Sequence, residues 1–140
     1  MPIETLTIRT MGQGLYELTA DVVRFARAYP AAEGLLTVFV RHTSCSLLIQ
    51  ENADPDVQWD LKAFFARLVP PSDDPSMGYI VHTAEGPDDM PAHIKAAMMP
   101  TSLSIPAAGG KLLLGTWQGL YLFEHRQRPH SRQIVLHLSG

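Results

Sequence analysis

The chain has 140 residues, of which 46% are hydrophobic and 18% charged, and 11 Lys and Arg against 14 Asp and Glu leave a formal charge of −3. That size fits one domain with room for a real core, and the composition excludes a disordered chain. With no concentrated basic patch and no apolar run near the roughly 20 residues that span a bilayer, neither nucleic acid nor membrane is an expected partner.

The opening Met1-Pro2-Ile3-Glu4 lacks the basic-then-apolar pattern of a secretory signal. One cysteine, Cys45, permits no internal disulfide, so nothing asks for an oxidising compartment and a cytoplasmic location is expected.

Leu18, Val22, Phe25, Ala26 and Tyr29 recur at helical spacing between Thr19 and Pro30, which predicts a first helix. Leu35 to Val40 is an apolar run of buried-strand length, with Leu47 to Ile49 as its continuation or partner. A second helix is expected from Asp54 to Leu68, with Val57, Leu61, Phe64, Phe65 and Leu68 on its buried face. Asp54 suits the N-cap there, and Pro55 the first helical position, where its missing N–H costs nothing. Pro70-Pro71-Ser72-Asp73-Asp74-Pro75 reads as an exposed loop, and Tyr79-Ile80-Val81 as a short strand ending at His82. A third helix is expected from Asp89 to Met99, with Met90, Ile94, Ala97 and Met98 inward and Pro100 as its stop. Leu103 and Ile105, then Ile134, Leu136 and Leu138, alternate with polar neighbours as half-buried strands do. Gly109-Gly110 is placed to turn a hairpin between Ser102–Pro106 and Lys111–Leu114. About three helices with mostly antiparallel strands make the class α+β, in a single domain over residues 1–140.

Four histidines stand out. His42 follows the first apolar strand, His82 and His93 flank an acidic turn, and His125 follows Glu124. Neutral imidazole is the commonest ligand for zinc-type metals, and separate elements would have to bring these rings together; ordinary core or surface histidines are the alternative. His130 and His137 have no chemical company. Asp54 is expected to cap its helix, and one of Asp88 and Asp89 to cap the next, leaving the other to orient a histidine or hold an ion. The turn Glu85-Gly86-Pro87 holds Glu85 near His82, as an outer partner of an imidazole or a general base. Gly115-Thr116-Trp117-Gln118-Gly119 allows either a ligand contact or a bulged strand around a packing tryptophan. Cys45 fits a buried small residue better than a nucleophile.

His42-Thr43-Ser44, Glu51-Asn52-Ala53-Asp54-Pro55, His82 with the run from Glu85 to Lys95, and Gly115–Gly119 together resemble the signature blocks of the YjbQ-type family, in order and over nearly the whole chain. The resemblance implies a YjbQ-like α+β subunit that assembles as a homotrimer. It also implies a secondary thiamine-phosphate synthase activity, joining hydroxymethylpyrimidine diphosphate to a thiazole phosphate with release of diphosphate. On that reading His42, His82 and His93 hold a divalent metal, Zn or Mg. Glu85, Glu124 and Asp88 serve catalysis, and Arg41, Asn52, Lys95, Thr116, Trp117 and Gln118 contact a small phosphorylated substrate. Arg126 joins Arg41 and Lys95 as a cation for phosphate oxygens. Three histidines suit Zn²⁺ better than Mg²⁺, so two other readings stay open: a metal-dependent hydrolase, and a non-enzymatic trimeric metal- or metabolite-binding protein.

Overall fold

The computed structural model describes residues 2–30 and 33–140. Strands β1 (Ile3–Thr10), β3 (Gly34–Val40), β5 (Ser102–Ala108), β6 (Lys111–Leu112) and β8 (His130–Ser139) form one sheet in the order β1-β8-β3-β5-β6. Strands β2 (Gly14–Glu17), β4 (Cys45–Glu51) and β7 (Gln118–Glu124) form a second sheet, ordered β2-β7-β4. The pairings are antiparallel. Helices α1 (Thr19–Arg27), α2 (Pro55–Leu68) and α3 (Asp89–Met98) complete the α+β fold. Among the described residues no helix is long and apolar enough to cross a membrane.

Alternation sets the inner faces. In β8, Ile134, Leu136 and Leu138 point inward, and β3 supplies Leu36, Val38 and Val40. From the second sheet come Cys45, Leu47, Leu120 and Leu122, and α1 adds Val22, Phe25 and Ala26. The core therefore fills the space between the two sheets and α1. Gly109 and Gly110 turn the β5–β6 hairpin at φ 60° and 75°, a region that side chains with a Cβ avoid.

Several expectations need correction. Leu47–Ile49 does not continue or pair with Leu35–Val40; β4 pairs with β7 in the other sheet. Residues 79–82 form no strand, and Val81 is 94% exposed. On α3 the inward side is Pro91, Ala92, Lys95 and Ala96, while Met98 faces out. Asp88 stands at the N-cap position of α3, but its side chain makes no capping bond. By contrast Asp54 caps α2 as expected, accepting from the Asp56 N–H at 2.9 Å.

The expected buried stripe of α2 is absent, for no residue of this helix is fully buried. Phe65 leans on Phe123, with ring centroids 5.9 Å apart, but Phe64 is 56% exposed. Helical periodicity marks an apolar face without saying what covers it. Leu36→Ala, at a fully buried position of β3, is therefore expected to cost about 2–5 kcal/mol. Phe64→Ala should cost about 1 kcal/mol or less in the isolated chain. Denaturant unfolding at low protein concentration compares them, and equal losses would place Phe64 in the core after all.

Candidate metal centre

Helix α3 begins directly after the turn Glu85-Gly86-Pro87, and its first residue, Asp89, is 2% exposed. One helical turn on, His93 lies on the same face. The loop before the turn returns His82 to this point. Ligand atoms of His82, Glu85, Asp89 and His93 all lie within 4.8 Å of one another, forming the one such cluster among the described residues. His82 Nε2 is 2.8 Å from Asp89 Oδ2 and 3.8 Å from Glu85 Oε2, and His93 Nε2 is 3.3 Å from Asp89 Oδ2. Ligands at 2.0–2.1 Å from a tetrahedral ion stand roughly 3.3 Å apart, so small side-chain shifts would bring the set to the spacing of a zinc-type ion.

Hydrogen bonding sharpens the fit. His93 Nδ1 is 2.9 Å from the Thr43 carbonyl oxygen. A carbonyl only accepts, so Nδ1 carries a proton, and in neutral His93 the lone pair sits on Nε2 and faces the Asp89 carboxylate. Either a proton on Nε2 or a metal ion between the two groups satisfies that contact. Orientation of a ligating imidazole by a backbone carbonyl on its far nitrogen is also the usual arrangement around metals.

The acids are held from behind. Arg126 donates from Nη1 to Asp89 Oδ1 at 2.7 Å and from Nε to Asp88 Oδ2 at 2.9 Å. Burial opposes ionisation of Asp89, but the His82 hydrogen bond and the charges of His93 and Arg126 outweigh it and keep the carboxyl below its ordinary range. Asp88 behaves alike. Burial is outweighed there by the Gln127 N–H and Arg126, which hold it ionised. Asp88 thus orients Arg126, and its carboxylate lies outside the cluster.

Other expected site residues lie elsewhere. His42 does not join the cluster, because its Nε2 accepts the Gln133 N–H at 2.8 Å. It instead shares with His93 an open recess of about 280 Å³ lined also by Thr43, Ala96, Ala97 and Thr101. Arg41 is exposed and reaches Gln133 Oε1 at 3.5 Å. Glu124 is fully buried, paired with Arg132 and accepting from Thr10 Oγ1 at 2.7 Å. Hydrogen bonds from Arg132 and Thr10 overcome the cost of burial and hold it below the ordinary carboxylate range. It is a structural anion. Lys95 points from another side of α3 into a separate cavity with Asp88, Pro91 and Gln127.

Thr116 and Trp117 form a turn that leads into β7 at Gln118, with no bulge; the Gln118 N–H donates to the Gly115 carbonyl oxygen at 3.1 Å. Asn52 joins them through its N–H on the Trp117 carbonyl. Gly119 is needed for this packing, since a Cβ there would come within 2.9 Å of Asn52 Cβ. All four residues sit by the start of β7, whereas Arg126 follows its end, and a seven-residue strand spans roughly 20 Å.

One feature escaped the sequence. Arg128 and His130 form, with Glu85 and Arg126, a second open recess of about 270 Å³ against the cluster. Their nearness comes from the turn into β8, which carries no periodic signal. Cys45 is fully buried with its thiol pushed up to about 12, chiefly by burial, which agrees with an inert role.

His125 is buried too, its Nε2 2.9 Å from Ser46 Oγ while Nδ1 has no partner. Burial first, then the Lys95 ammonium, push it down to about 3. The unfolded chain takes a proton near pH 6.5 that the folded chain refuses, so stability falls as pH drops from 6.5 toward 3. The slope reaches about 1.4 kcal/mol per pH unit. Unfolding of chelator-treated protein should show roughly 2 kcal/mol lost between pH 7 and 5, and His125→Gln should remove most of that loss. An unchanged slope in the variant would contradict it.

The comparisons place the chain in context. Residues 4–140 match the family described as UPF0047 protein YjbQ-like. The UPF0047 protein sll1880 of Synechocystis is 52% identical over 98% of this chain and 90% of its own length. The UPF0047 protein YjbQ of Escherichia coli O157:H7 is 41% identical over 98% and 96%. A crystal structure of a YjbQ/UPF0047 family protein from Clostridium acetobutylicum superposes with a TM-score of 0.84 at 31% identity, covering 97% of this chain and 99% of the other. With a match over nearly its whole length, this chain belongs to the YjbQ-like UPF0047 family.

Proposed function

We propose that the chain is a metal-dependent enzyme acting on a small phosphorylated substrate, with hydrolysis as its reaction. The observation that carries this is the convergence of His82, Glu85, Asp89 and His93, two imidazoles and two carboxylates, at ligand spacing on an exposed edge of the fold. A borderline metal such as Zn²⁺ suits that mixed set better than Mg²⁺. Bound there, such an ion supplies Lewis acidity toward a phosphoryl oxygen and makes water a nucleophile near neutral pH.

The chain's own residues then divide the remaining work. Asp89 and His93 are rigid, fixed by Arg126 and by the Thr43 carbonyl. Glu85, with 63% of its side chain exposed, is the least constrained of the four, and by leaving the ion it would open a position for water and accept its proton. Arg128 and His130 line the adjoining recess and offer donors to an anionic phosphate there, while Arg126 is committed to Asp88 and Asp89. That recess would equally hold a departing diphosphate, which supports the secondary thiamine-phosphate synthase type of transfer as a second reading.

One assay series separates them. Metal-stripped protein is reloaded with Zn²⁺, Mn²⁺ or Mg²⁺ and given p-nitrophenyl phosphate, or hydroxymethylpyrimidine diphosphate with thiazole phosphate. Metal-dependent release of p-nitrophenol supports hydrolysis, and a coupled product with diphosphate supports transfer. Stoichiometric metal binding without turnover of either leaves the binding-protein reading.

A homotrimer is part of the proposal, supported by the apolar side of α2, where Phe64 and Leu68 are uncovered in the single chain. Sedimentation showing a stable monomer at micromolar concentration would remove it.

A further inference from the structure

We propose that the recess between His42 and His93 is the specificity pocket of this centre, and that it takes a compact, uncharged, single-ring group of the substrate. The inference rests on the metal-centre reading and adds to it the shape and polarity of what binds. His93 is shared: its Nε2 faces Asp89 in the cluster, and the same ring lines the recess. A ligand held at the cluster therefore has this recess as a neighbour.

The walls are built and rigid. One is the α3 face carrying His93, Ala96 and Ala97, where the small side chains leave the space open. The other is His42 and Thr43, with Thr101 completing the lining. The two walls are tied together by the bond between His93 Nδ1 and the Thr43 carbonyl. His42 is fixed by accepting the Gln133 N–H, and a nitrogen that accepts is unprotonated. Burial, then the Arg132 charge, also hold His42 below its ordinary pKa range. Among the described residues no Asp, Glu, Lys or Arg lines the recess, so it offers imidazole faces, methyl groups and two hydroxyls, and nothing to balance a charge.

Size narrows the occupant. A cavity of about 150 Å³ accommodates benzene, and drug-sized ligands start near 300 Å³. At about 280 Å³ the recess has room for one ring with small substituents. The recess of Glu85, Arg126, Arg128 and His130, which shares Glu85 with the cluster, is strongly polar. The substrate class is thus a single-ring compound with an anionic group at or beyond the metal-binding point.

Hydroxamates test this without knowledge of the substrate, because acetohydroxamate and benzohydroxamate share a metal-binding head and differ in the ring. Calorimetric titration of the Zn²⁺-loaded full chain should find benzohydroxamate tighter by about tenfold or more. Ala97 is exposed, so Ala97→Phe fills the recess without disturbing the core. In that variant the ring's advantage should shrink to about twofold, while acetohydroxamate binds as before and confirms an intact fold and metal site. Equal affinity of the two probes for the original chain, or an advantage untouched by Ala97→Phe, overturns the pocket while leaving the metal centre standing. A chain that takes up no Zn²⁺ overturns both.

Discussion

Arg132→Met is expected to destabilise the chain by about 3–5 kcal/mol, the usual cost of stranding a buried charge. Arg132 is 3% exposed and Glu124 fully buried. The guanidinium meets Glu124 through Nε at 2.8 Å and Ser44 Oγ through Nη2 at 2.9 Å. Without it Glu124 keeps, among the described residues, the hydrogen bonds from Thr10 and the Arg126 N–H, with the His130 ring 4.0 Å away. The double variant Arg132→Met with Glu124→Gln should recover part of the loss, since both charges are then gone. The sign with pH follows from the depressed Glu124 value. Its stabilisation is full above the ordinary 4.5 and is lost as pH falls through the lower folded value. Denaturant unfolding checks each variant, and a loss below about 1 kcal/mol for Arg132→Met would show that the pair is not a structural anchor.

Asp89→Ala and His93→Ala are each expected to weaken Zn²⁺ binding by about 100-fold or more, because each removes a ligand from a set of four. His42→Ala and His137→Ala should stay within about threefold of the original chain, as neither ring belongs to the cluster. Binding should also weaken in acid, since a protonated imidazole has no lone pair to donate. Competition against a chromophoric chelator reads all five proteins. Equal loss in His42→Ala would restore the three-histidine site that spacing and resemblance imply.

Much of the architecture was legible in the residues. Alternation in β8, the Gly109-Gly110 turn and the Asp54-Pro55 cap are local signals, and each element formed where its signal lies. Strand partners were less legible: β4 follows β3 closely in the chain yet belongs to the other sheet, a choice made by long-range packing. Periodicity misled on α2 and α3. It finds an apolar side, but α2 leaves its side uncovered and α3 turns Ala92, Lys95 and Ala96 inward.

At the site, His82, Glu85 and His93 were legible because a tight turn and one helical turn fix them near one another. Asp89 was weighed as a cap or an ion ligand, and only its contact with both imidazoles settles where it points. His42 and Glu124 have the residue types of a site, but partners distant in sequence, Gln133 and Arg132, claim their polar atoms. No local pattern could announce those partners.

The central claim is that two imidazoles and two carboxylates of this chain hold one divalent ion. X-ray absorption at the zinc K-edge on protein loaded with one equivalent of Zn²⁺ tests it directly. The expected first shell is nitrogen and oxygen at roughly 2.0–2.2 Å with the outer-shell scattering of two imidazoles, reduced to one in His93→Ala. A shell of oxygen alone, a sulfur contribution from Cys45, or an unchanged spectrum in His93→Ala would contradict it.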